Sequence, residues 1–172
     1  VHLGSTWVPP EVVSDFCRHL FGPEAVRGIG YHPAMASWAT SFNEFYIDRT
    51  LNSSTWGTSR YSGHDLVTAV LNNTPIKVMD REGTDSQGRP IYVLNEDETI
   101  AAGQKAEEIK QAFQDWIWLD QERRENLAKI YNDKFNTHIP RKYNGSHLEL
   151  PGSSLNITLR PHQKDAIWRG IQ

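Results

Sequence analysis

Residues 95–135 read NEDETIAAGQKAEEIKQAFQDWIWLDQERRENLAKIYNDKF, and this stretch decides the fold class. Ala102, Ala106, Ile109, Phe113, Trp116 and Ile117 recur at three- and four-residue steps, which places them on one helical face. Asn95-x-x-Glu98 resembles a capping box, with asparagine where Ser or Thr is usual. Asp120 reads as a second cap, and the helix behind it carries Leu127, Ile130, Tyr131 and Phe135. Two helices joined by so short a break form a pair that must bury its stripes on something. Just upstream, IKVMD (76–80) and RPIYVLN (89–95) are β-like runs around the polar, glycine-bearing REGTDSQG. They predict a hairpin with a long exposed loop. The expected class is therefore α+β: a small, mostly antiparallel sheet with a helical pair packed on it, plus N- and C-terminal helices.

Further toward the N-terminus, Pro9-Pro10 precedes Val12, Val13, Phe16, Cys17 and Leu20, and Gly22-Pro23 follows. Proline is tolerated in a first turn and glycine ends helices, so a short helix is predicted at about 10–21. Residues 25–50 read as extended, with Val26, Ile29, Tyr31, Met35, Trp38, Phe42, Phe45, Tyr46 and Ile47 as their apolar members. In the polar segment that follows, Ser62 or His64 starts a helix carrying Leu66, Val67, Val70 and Leu71, which stops at Asn72-Asn73-Thr74-Pro75. Residues 136–158 look like loop, and 159–172 turn helical again. The expected organisation is a helical arm at 1–24, an α+β core at 25–136, a linker at 137–158 and a last helix at 159–172.

Composition excludes several classes. Lys and Arg total 18 against 21 Asp and Glu, a net charge of −3 in 172 residues, so bulk charge does not make this a nucleic-acid binder. The balance is uneven: residues 1–100 hold seven basic and twelve acidic side chains, residues 101–172 eleven and nine. If phosphates are contacted, the C-terminal third is the place. The single Cys17 excludes a disulfide framework within the chain and any multi-cysteine zinc site. No 18-residue apolar run exists, so no membrane span is expected. The chain opens on Val1, not Met, and is read as a piece of a longer polypeptide. Six Trp, six Tyr and six Phe either fill a core or supply rings that stack on bases or line a partner groove.

Catalytic motifs are missing. There is no phosphate-binding G-x-x-x-x-G-K-[ST], no G-x-S-x-G elbow and no H-E-x-x-H. Cys17-x-His19 is no catalytic pair, because i and i+2 point apart on a helix. The four N-x-[ST] sequences, at Asn52, Asn72, Asn144 and Asn156, read as chance matches in an Asn/Ser-rich chain. The sharpest local signal is TLRPHQKDAIWRGIQ at 158–172. Pro161 sets a helix entry and leaves the Gln163 amide in the first turn, either as an exposed side chain of a capped helix or, able to donate and accept at once, as a reader of adenine.

Leu159-Arg160-Pro161-His162-Gln163 followed by Ala166-Ile167-Trp168-Arg169 resembles the opening of a superfamily II helicase core, whose glutamine contacts the adenine of ATP. With LGSTWVPPEVVSDF (3–16), GTSRYSGHDLVTAVLNN (57–73), FQDWIWLD (113–120), RRENLAKIYNDKFN (123–136) and KYNGSHLELPG (142–152), the chain resembles phage and mobile-element proteins that fuse an adenine-specific DNA methyltransferase to a Swi/Snf-type helicase, the DarB-like antirestriction family. The resemblance places the chain just before the helicase core, with residues 159–172 as the cut first helix of that core. It implies Gln163 as the adenine reader, flanked by Arg160 and His162. It implies ATP and S-adenosylmethionine for the parent protein but no cofactor for this piece. The implied setting is a bacterial or phage-encoded cytoplasmic protein whose partners are DNA and the methyltransferase and helicase modules of the same chain.

No catalytic or metal-ligating residue is expected here. The methyltransferase's N/D-P-P-[FYW] motif is absent, as are the helicase's phosphate loop and magnesium motif. Two functions follow as expectations. In the first the chain is a connector that engages or positions DNA. Trp56, Arg60 and Tyr61 in the glycine-flanked turn, with Arg141, Lys142 and Tyr143 in the late loop, then supply phosphate contacts and stacking. In the second it is a scaffold packed on the helicase core without DNA contact, its docking surface marked by exposed Trp7, Trp116 or Trp118.

Overall fold

A computed structural model describes residues 1–137, 141–149, 151, 152 and 158–171. The architecture is α+β, in two compact units, Val1–Tyr131 and Asn132–Gln172.

The first unit opens with helix α1, Pro10–Phe21. Pro10 stands in its first turn, and Gly22, in a left-handed conformation, donates its N–H to the Arg18 carbonyl. Strands β1 (Val26–His32) and β2 (Ser37–Phe42) form an antiparallel ribbon with a register shift between Val26 and Gly28. Helix α1 lies on β1, and helix α2 (Gly63–Leu71) lies on β2. The Asn72 side chain fastens the latter contact. Its Oδ1 accepts from the Trp38 N–H at 2.8 Å, and its Nδ2 donates to the Trp38 carbonyl at 3.0 Å, as a neighbouring strand would. Helix α2 ends at the predicted stop. Asn73 takes φ 50°, its N–H reaches Val70 and the Thr74 N–H reaches Ala69, so the last carbonyls are satisfied by a Schellman turn.

Strands β3 (Met79–Thr84) and β4 (Pro90–Leu94) form a second, separate antiparallel ribbon. Helix α3 (Glu96–Ile117) follows at once, with Asn95 Oδ1 accepting from the Glu98 N–H at 3.0 Å, as the capping-box pattern predicts. Its buried face is Ala102, Ala106, Ile109, Phe113 and Ile117. These side chains meet α2 and α1, with Phe113 edge-on to Phe16 at 5.0 Å between ring centroids. The sequence reading sought the partner of this face in the sheet. A two-stranded ribbon is too narrow to cover a 22-residue helix, and the helices α1 and α2 do so instead.

Helix α4 is Gln121–Phe135, with the Asp120 carboxylate accepting from the Arg123 N–H at 2.7 Å. Arg123 also binds the Ile117 and Trp116 carbonyls, at 3.1 and 2.8 Å, and lies over the Trp116 ring. It thereby closes the open end of α3 with a cation. Of the expected α4 stripe only Leu127 is buried. Residues 1–24 share one core with the rest of the unit: Leu3, Val8, Val13, Phe16 and Leu20 lie in the same cluster as Leu66, Ile109 and Phe113. Phe45 and Tyr46, read as strand, form an exposed 3₁₀ turn at Glu44–Tyr46. Among the described residues no helix is long and apolar enough to cross a membrane.

Phe113 is fully buried and Trp118 is 40% exposed. Phe113→Ala should therefore cost about 3–5 kcal/mol in denaturant unfolding, and Trp118→Ala less than about 0.5 kcal/mol.

Candidate nucleic-acid interface

The structure distributes the predicted contact residues over both units. Trp56, Arg60 and Tyr61 lie in one turn of the first. A π-type turn, Leu51–Thr55, delivers the chain to Trp56, and Gly57 is buried where any Cβ would run into the Asn52 and Tyr61 carbonyls. Thr58 Oγ1 then accepts from the Arg60 and Tyr61 N–H groups, at 3.2 and 3.0 Å. Trp56 and Tyr61 are half-buried against the core, and burial, with Asp65 second, pushes the Tyr61 hydroxyl pKa up. Both rings are walls rather than free stacking platforms. Arg60 is compensated too: it meets the Asp80 carboxylate at 2.7 Å and the Met79 carbonyl at 3.2 Å. Hydrogen bonds from Asn95 and then Arg60 hold the Asp80 carboxyl below its ordinary value.

His64 is the hub of this turn, a role that sequence reasoning missed. Asn52 Oδ1 accepts from both the His64 N–H (3.2 Å) and Nδ1 (3.1 Å). The backbone donor identifies the Asn52 atom as oxygen, so Nδ1 carries a proton. Nε2 then faces Glu44 and Asp65, 3.7 and 3.6 Å away. The only signal for this in the sequence was the position of His64 at a helix start, which says nothing of Asn52 or Glu44.

Arg141, Lys142 and Tyr143 belong to the second unit, where residues 144–148 run beside helix α5, Pro161–Ile171. The Gly145 N–H donates to Asp165 at 2.7 Å, and the glycine presses so closely on the Lys164 backbone that no side chain would fit. Lys164 Nζ returns to the Leu148 carbonyl at 3.1 Å, and His147 stands edge-on to Trp168 at 4.5 Å. Asn144, Ser146, Leu159, Pro161, Lys164 and Asp165 line an open groove of about 350 Å³.

Arg160, His162 and Gln163 are exposed at the entry to α5. The Gln163 amide oxygen accepts from the Arg160 N–H at 2.9 Å, the reciprocal arm of a capping box. In this structure the atom expected to read adenine serves the helix's own cap.

The second unit holds six basic residues, Lys134, Arg141, Lys142, Arg160, Lys164 and Arg169, against Asp133, Glu149 and Asp165. Arg141, Lys142, Arg160 and Arg169 are exposed, and none makes an ion pair among the described residues. Nucleophilic chemistry has no candidate in Cys17, which is buried and has its thiol pKa pushed up to about 12. No group of three His, Cys, Asp or Glu side chains among the described residues is arranged to hold a metal ion.

A family model described as "Domain of unknown function (DUF8437)" matches residues 2–137. The chain belongs to the DUF8437 family. No curated protein and no solved structure matches it. The DUF8437 match contains the Trp56–Tyr61 turn and ends before Arg141 and α5. The two sets of predicted contacts therefore fall on opposite sides of the family boundary.

The Asp80 ties give the DUF8437 domain a pH signature. A carboxyl held below its unfolded value contributes stability above that value and loses it as the pH falls through the folded pKa. Asn95→Ala should return the Asp80 titration toward the ordinary carboxylate range, read by NMR. It should also cost about 1 kcal/mol through the lost helix cap.

Proposed function

We propose that the chain is a non-catalytic accessory module of a DNA methyltransferase–helicase protein and that it engages duplex DNA through its second unit. The observation that carries this reading is the concentration there of exposed cations that make no ion pair among the described residues: Arg141, Lys142, Arg160 and Arg169, with Tyr143 and Trp168 beside them in sequence. Cations free of carboxylate partners release counterions when they meet phosphates, whereas a guanidinium already paired, as Arg60 is, gains little. In this reading the DUF8437 domain is the rigid support. ATP and S-adenosylmethionine are bound by other modules of a cytoplasmic parent protein, although the Arg160–Gln163 entry adjoins the ATP-binding part.

A specific observation favours a second reading, a scaffold packed on neighbouring modules without DNA contact. Trp7 and Trp116 pack on the core, but Trp118 and Leu119, at the end of α3, stay exposed at 40% and 79%.

Titrating a labelled duplex with the 172-residue chain across salt concentrations separates the two. The DNA reading expects binding at low salt that weakens linearly in log[salt]. Arg141→Glu with Lys142→Glu should flatten that slope by about 2, and Arg60→Glu should leave it unchanged. Absence of binding at low salt, or a slope untouched by the double variant, overturns the DNA reading in favour of the scaffold.

A further inference from the structure

The β3–β4 ribbon has two edges of opposite character. The β3 edge is guarded: Asp80, Arg81 and Glu82 are consecutive charges, and the Arg60 guanidinium sits on the Met79 carbonyl. The β4 edge carries no charge from Pro90 to Leu94 and has no neighbouring strand among the described residues. Ile91, Tyr92, Val93 and Leu94 are all 43–56% exposed, so apolar side chains stand in water on both faces. A lone two-stranded ribbon is marginal, and an uncharged open edge is a template for another strand.

Two bonds at its ends fix which backbone groups point outward. The Asn95 N–H donates to Val78, and the Arg89 carbonyl accepts from Asp85. Odd-numbered residues of β4 therefore face β3, and Pro90, Tyr92 and Leu94 face out.

We infer that this edge pairs with the same edge of a second copy of the chain, antiparallel and centred on Val93. In that register Tyr92 and Leu94 of one copy exchange four backbone bonds with Leu94 and Tyr92 of the other. Pro90, which has no N–H to give, falls outside the ladder. A ladder centred on Tyr92 would also make four bonds, two across the Tyr92 pair and one at each Pro90–Leu94 pair, so the flanking charges and not the bond count choose the register. The Val93 register carries Arg89 of each copy toward the place where the other copy's strand ends and α3 begins, with Glu96, Asp97 and Glu98 in its first turn. Arg89 is 71% exposed and uses its Nε for Asp85, which leaves the end of the guanidinium for the second copy. This charge complementarity selects a copy of this chain as the occupant. The assembly closes at two, because the resulting four-stranded sheet ends on the guarded β3 edge at both sides. The inference rests on the first unit alone and is independent of the DNA reading.

A four-bond ladder is small for an interface, so the association is weak and is read at high concentration. Sedimentation equilibrium of the 172-residue chain should show the average mass rising toward twice the monomer. Val93→Lys, which sets two like charges opposite each other on the twofold axis at an exposed site, should hold it at the monomer. The Val93 side chains of a non-hydrogen-bonded pair lie within disulfide reach, so Val93→Cys should crosslink on oxidation. Arg81→Cys on the guarded strand should not, and buried Cys17 stays silent. A chain that remains monomeric and in which V93C crosslinks no more than R81C overturns the inference. So does equal crosslinking of both variants, and so does an association that V93K leaves intact.

Discussion

The burial of one face of α3 against α1 and α2 is the constraint on which the first unit depends. Ile109, Phe113 and Ile117 are fully buried there. At roughly 1.5–3 kcal/mol for each large apolar side chain removed from water, these three supply about 4.5–9 kcal/mol, an upper estimate. That is comparable with the whole net stability of a typical domain. The two ribbons cannot provide such a sum, since neither offers a two-sided core and β4 is exposed along its length. Both ribbons are held by helices: β1–β2 by α1, α2 and the Asn72–Trp38 pair, β3–β4 by its short link into α3. Cap chemistry at Asn95 and the Arg123 closure at the other end give α3 defined limits and keep its stripe in phase with its partners.

Much of this was legible in the residues. Helical periodicity is a local property, so α1, α2 and α3 could be read with their limits from Pro9-Pro10, Ser62, Asn72-Asn73 and Asn95. What the pattern could not say was the partner of each stripe. An amphipathic helix fits a sheet or another helix equally well, and only the narrowness of two separate ribbons decides for helices. Residues 44–47 misled for a related reason. Phe45, Tyr46 and Ile47 have strand-like composition, yet a short turn needs no alternation, and only Ile47 of the three is buried.

The candidate contacts were legible by residue type and not by environment. Arg60 and Arg141 look alike in a sequence. The fold gives Arg60 a carboxylate 20 residues away, in a ribbon brought back beside its turn, while Arg141 remains exposed. Gln163 shows the same limit. Its donor and acceptor pair is chemically suited to adenine, and it equally suits a helix cap three residues upstream. His64 was invisible as a hub because its partners, Asn52 and Glu44, are 12 and 20 residues distant and follow no motif.

Charge segregation explains how a chain of net −3 can carry a basic second unit. Residues 132–172 hold a third of the Lys and Arg and one-seventh of the Asp and Glu. Acidic residues in the first unit are spent largely on local tasks: Asp65 and Asp120 at helix starts, Asp80 and Asp85 in the second ribbon. In the second unit Asp165 is likewise committed, to the Gly145 N–H, and Lys164 to a carbonyl. Subtracting such ties leaves Lys134, Arg141, Lys142, Arg160 and Arg169 against Asp133 and Glu149 to set the local potential. Over a Debye length of about 8 Å at physiological salt, a ligand meets that local surface and not the sum over the chain.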